Sequence, residues 1–91
     1  MGKLHETRES FENSAEVGDW AFSSDNVHIF IETPTGTAIL QIDPTAYPEH
    51  KRACWQWDGN REAPTLTPSI LLHSKPKEWH GWLRAGKLVE A

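Results

Sequence analysis

The sequence predicts a small all-β protein, a sandwich or open barrel of about six short antiparallel strands preceded by a flexible polar N-terminus. Three observations predict it. β-Branched and aromatic runs recur at short spacing, Gly, Pro and Asp-Gly-Asn turns separate them, and no segment presents a convincing helical face.

Residues 1–18 are polar and mixed in charge, with only Leu4, Phe11 and Val17 as sizeable apolar anchors. Ser10, Asn13 and Ser14 offer capping groups without an apolar stripe to cap. This stretch is expected to be a flexible or loosely docked tail, and residues 19–91 a single β domain. Val27-His28-Ile29-Phe30-Ile31-Glu32 reads as a strand. Thr33-Pro34-Thr35-Gly36 supplies a turn, and Thr37-Ala38-Ile39-Leu40-Gln41-Ile42 returns as the second strand of a hairpin. Both faces of that hairpin carry apolar groups, so cover on both sides is expected.

Asp43-Pro44-Thr45-Ala46-Tyr47-Pro48 cannot continue a central strand, since each proline removes a donor. Cys54–Trp57 forms a third strand, ended by Asp58-Gly59-Asn60. Ala63–Pro68 should be extended, and Ser69–His73 is a fourth strand, broken by Ser74-Lys75-Pro76-Lys77. Glu78–Leu83 and Lys87–Val89 make a closing hairpin around Arg84-Ala85-Gly86.

With 91 residues the core is thin, yet five Trp and three Phe can each bury a large area, roughly 150–250 Å². A net charge of −4 and nine scattered Lys and Arg argue against nucleic acid as the main partner. One cysteine excludes an internal disulfide. No apolar run approaches a membrane span of roughly 18 residues, and no signal-peptide core follows the N-terminus. The bacterial host cytosol is the expected location.

His5, His28, His50, His73 and His80 are the first candidates for chemistry. His28, Cys54 and His80 could meet as zinc ligands from separate strands, although no Cys-x-x-Cys or His-x-x-x-His spacing occurs. Cys54 could also be a nucleophile if Lys51 and Arg52 lowered its pKa. Beside Trp55, at the start of a strand, it reads better as a small buried apolar group. Asp58 should accept turn hydrogen bonds from the backbone near Asn60. No phosphate loop, serine nucleophile elbow or His-Glu-x-x-His helix is present. Trp55 and Trp57 share a face, whereas Trp79 and Trp82 take opposite faces, so at least one ring should lie at the surface and favour protein contacts.

Cys54-Trp55-Gln56-Trp57-Asp58-Gly59-Asn60, then Pro64-Thr65-Leu66-Thr67-Pro68-Ser69-Ile70, with His80 and Gly86-Lys87, resembles a family of small proteins frequent in tailed bacteriophages and prophages. Its members are sometimes labelled ammonia monooxygenase, occur beside bacterial ubiquitin-like conjugation genes, and are described as metal-binding. The resemblance runs from about Asn26 to Val89. Members carry a Cys-rich knuckle before the residue matching His28, where this chain has Ser23-Ser24-Asp25-Asn26. They carry Cys before the residue matching His80, where this chain has Trp79. Their Asp-Cys-Thr-His tail has no counterpart before Ala91. By match only His28 and His80 remain as ligands, and two ligands rarely hold zinc. No cofactor is therefore expected.

The function expected from the sequence is a non-enzymatic, phage-type accessory or interaction domain that binds a host or phage protein. The motif residues Trp55, Trp57, Asp58, Gly59, Pro64, Thr65, Pro68, Ser69, Trp79 and Trp82 would build its structure or its surface. The alternative is a zinc protein with a residual site at His28, Cys54 and His80. Exposed edge strands could pair two copies as a homodimer.

Overall fold

The computed structural model describes residues 2–47, 53–73 and 77–91. In chain order the elements are β1 (Leu4–His5), α1 (Arg8–Ser14), β2 (Trp20–Phe22), β3 (His28–Thr33), β4 (Gly36–Gln41), β5 (Gln56–Trp57), β6 (Leu66–Thr67), β7 (Ile70–His73), β8 (Glu78–Arg84) and β9 (Lys87–Glu90). They form three sheets, ordered β1-β2-β3-β4, β5-β6 and β7-β8-β9. The all-β expectation holds. The pairs are antiparallel apart from β1 and β2, which run parallel. Two-residue strands such as β1, β5 and β6 are too short for alternation to show in a sequence, so the strands outnumber the six expected.

The expected hairpin is β3–β4, with Ile31 opposite Ala38 and Thr33 opposite Gly36. Thr33 closes its turn by donating its hydroxyl to the Gly36 carbonyl at 2.6 Å. Trp20, Phe22, Ile29, Ile31, Ala38 and Leu40 face inward and meet Ile70, Trp79 and Leu83 of the third sheet. That packing of sheet on sheet is the main core. Phe30 points the other way and is also buried.

The N-terminal segment departs from the loose tail that its polarity suggested. β1 pairs with β2, Thr7 caps α1 by accepting from the Ser10 N–H at 3.0 Å, and Phe11 packs beside Ala21 and Phe30. Burying Phe11 stabilises this arrangement by roughly 1.5–3 kcal/mol. Arg8 adds its guanidinium 5.0 Å above the Phe30 ring. A helix of seven residues anchored by one aromatic has no periodic stripe, which is why its sequence looks unstructured. The helix provides the second cover that the two-faced hairpin requires.

The break expected at Ser74-Lys75-Pro76 and the charges of Lys51 and Arg52 beside Cys54 lie outside the described residues, as do Pro48 and His50. Among the described residues no helix is long and apolar enough to cross a membrane.

Candidate active site

Ser69 stands where the chain leaves β6 and enters β7, immediately after the cis Thr67–Pro68 peptide bond. Trp55 fixes this corner from the side, its indole N–H donating to the Ser69 carbonyl at 3.2 Å. The β7–β8 ladder pairs Ile70 with Gly81 and Leu71 with His80. Ser69 is therefore a diagonal neighbour of His80 on the outer face, a position from which side chains touch. They do: Ser69 Oγ lies 3.0 Å from His80 Nε2. With the imidazole proton on Nδ1, Nε2 accepts from the serine hydroxyl. The pair is open to solvent.

Trp82 flanks the imidazole at 5.8 Å with 35° between the planes, and Arg84 lies 4.7 Å over the Trp82 ring. Among the described residues, no carboxylate is paired with His80. Gly81, between His80 and Trp82, lets β8 lie close to β9. A Cβ there would strike the Val89 carbonyl and the Trp79 ring.

A groove of about 560 Å³ adjoins this corner, lined by Ile42, Pro44, Cys54, Trp55, Trp57 and Thr67 among others. Asp58 sits at it and accepts from the backbone N–H groups of Asn60 and Thr65 at 3.0 and 3.2 Å, the turn role expected for it. Gly59 takes φ +85° in that turn. The Cys54 thiol is pushed up by burial and then by the nearby Asp43 carboxylate, so it stays protonated at neutral pH and makes a poor nucleophile.

The other motif residues hold this corner in place. Trp57 packs on Phe22 at 4.8 Å between ring centroids, and Pro64 is fully buried. Thr65 Oγ1 accepts from the Ala85 N–H at 2.8 Å. Trp79 is buried on the core face, while Trp82 is half-exposed on the opposite face, as the alternation of β8 requires. The proposed zinc ligands do not assemble. His28 lies against Tyr47, at 6.3 Å between rings, and His80 serves Ser69. Among the described residues no group of three or more His, Cys, Asp or Glu side chains could hold a metal ion.

A second serine–histidine contact has no local signal in the sequence. Ser10 Oγ lies 3.1 Å from His5 Nδ1, and His5 Nε2 lies 2.8 Å from Asp19 Oδ2. Both His5 and Asp19 are buried. Asp19 also accepts from the backbone N–H groups of Lys3 and Glu16. Burial works against its charge, but the hydrogen bonds from His5, Glu16 and Lys3 outweigh that and hold the carboxyl below its usual pKa. The arrangement ties β1, the first turn of α1 and the segment after that helix to the start of β2.

Comparison with protein families matches residues 34–91, well over half of the chain, to a family described as bacterial ubiquitination-like system serine protease (BubE). No curated protein and no solved structure matches. The family match overturns the expectation of a non-enzymatic accessory domain. Its span contains Ser69 and His80 and leaves out Ser10, His5 and Asp19. The sequence alone assigns Ser69 to a structural or interaction motif and His80 to the candidate metal ligands, and only the fold brings the two together. A nucleophile elbow sets its serine between a strand and a helix, whereas Ser69 lies just before the strand β7.

Proposed function

Because the chain belongs to the BubE family of bacterial ubiquitination-like system serine proteases, we propose that it is a serine hydrolase with Ser69 as nucleophile and His80 as general base. Its substrate would be an amide bond of a protein handled by such a conjugation system. The 3.0 Å approach of Ser69 Oγ to His80 Nε2, inside the matched segment, carries the reading.

The chemistry follows from that contact. Ser69 Oγ attacks the substrate carbonyl carbon as its proton passes to Nε2. The imidazolium then gives this proton to the departing amine, leaving an ester on Ser69. A water, deprotonated by the same nitrogen, hydrolyses the ester and restores the hydroxyl. Trp55 keeps the Ser69 peptide from turning, and Trp82 limits the tilt of the imidazole. The pair is open to solvent, so a bound substrate has to exclude water before the interactions between the imidazolium, the serine oxygen and the reacting carbonyl strengthen in a lower dielectric.

A fluorophosphonate probe tests the assignment. Peptide mapping should find the adduct on Ser69, lost in Ser69→Ala and strongly slowed in His80→Ala, with Ser10→Ala labelling at the native rate. An adduct on Ser10, or none at all, would overturn it.

A further inference from the structure

The groove next to the pair has no role in the steps above, and its position gives it one that rests on that reading of Ser69 and His80. Trp55 is at once a wall of the groove and the donor that holds the Ser69 carbonyl. Thr67, also at the groove, is two residues from Ser69, so the two Cα atoms lie within about 7 Å of one another. An extended peptide covers the same distance in two residues. We propose that the groove is a specificity subsite that takes one apolar side chain of an extended peptide substrate, two or three residues from the bond cleaved.

The walls fit that occupant. Ile42, Pro44, Trp55 and Trp57 offer apolar surface, and the volume lies within the roughly 300–1,000 Å³ of pockets that hold small ligands. Asp58, whose carboxylate accepts from two backbone N–H groups, lines the groove, and Asp43 adjoins Pro44. An acidic side chain would meet like charge there, whereas an aliphatic or aromatic one would exchange water for the indole faces.

Cys54 lines the groove and is the one cysteine of the chain, so its alkylation reports occupancy without any need for turnover. The probes are short Gly/Ser peptides in which one Leu is moved along the sequence, offered to the Ser69→Ala chain during treatment with N-ethylmaleimide. Leu at one position should slow alkylation by about tenfold relative to the peptide without Leu. Asp at that position should restore the original rate. Equal alkylation rates across the whole series would overturn the subsite.

The catalytically intact chain gives a second measurement. Reversible thiomethylation of Cys54 should raise KM for the Leu peptide and leave fluorophosphonate labelling of Ser69 unchanged. An unaltered KM would count against the subsite. Failure of Ser69 to label in the unmodified chain would sink the serine reading instead, while the protection series still judges the groove.

Discussion

Ser10–His5 and Ser69–His80 bring the same two side chains to nearly the same separation, 3.1 and 3.0 Å, in opposite surroundings. The first has an aspartate behind its imidazole and is buried around it; the second has no carboxylate partner among the described residues and faces solvent. By inventory the N-terminal trio looks more complete. Its aspartate, however, spends its oxygen atoms on two backbone N–H groups as well as on His5, which anchors chain segments. The outer pair stands beside a groove and inside the segment matched to serine proteases. Access to a substrate, more than the number of catalytic-looking groups, distinguishes the two.

The largest expected effect tests that contrast directly. Ser69→Ala or His80→Ala should lower kcat by about 10⁴-fold or more, measured on a peptide that the native chain cleaves, whereas Ser10→Ala should leave kcat unchanged. A reversal would exchange the roles assigned to the two clusters. Asp19→Asn should instead lower unfolding free energy by about 1–3 kcal/mol in urea titrations. Labelling of Ser69 in the folded fraction should persist.

Acid sharpens the same distinction. Asp19 has a lower carboxyl pKa folded than unfolded, so its contribution to stability is fully present above the unfolded value, roughly 3.9, and is lost as pH falls through the folded one. Melting temperature should therefore drop on acidification below about pH 4. The drop should be shallower in Asp19→Asn.

Gly81→Ala probes the support beneath His80. Its methyl would press on the Val89 carbonyl and the Trp79 ring, and a loss of about 1–3 kcal/mol is expected in denaturant titrations. The smallest effect belongs to Trp55→Phe, which keeps an aromatic wall but removes the donor to Ser69. A fall in kcat of about fivefold, with little change in KM, would correspond to one lost hydrogen bond. An increase confined to KM would show that Trp55 only touches substrate.

The later strands were legible because β-branched residues and prolines punctuate them: the β3–β4 hairpin and the β7-β8-β9 sheet lie close to where the sequence put them. Residues 1–22 were not legible in the same way. His5, Phe11, Asp19 and Trp20 act there through contacts distant along the chain, and no local pattern announces a single buried aromatic or a histidine–aspartate pair. The proposed serine–histidine pair was half legible. Ser69 and His80 both drew attention, but their meeting depends on the register that sets Leu71 opposite His80. A hairpin register follows from its connection, and this connection carries no two-residue turn signature to fix it.

Gly86, at φ +75°, has a consequence of its own. Its carbonyl accepts from the Gly2 N–H and its N–H donates to the Pro64 carbonyl, while Trp20 and Ala63 crowd the space a side chain would need. One turn thus joins the amino end of the chain to the segment that leads into the serine. Tags or leader sequences fused ahead of Gly2 would pull on that knot, so the placement of a purification handle becomes a mechanical variable in any assay of the protein.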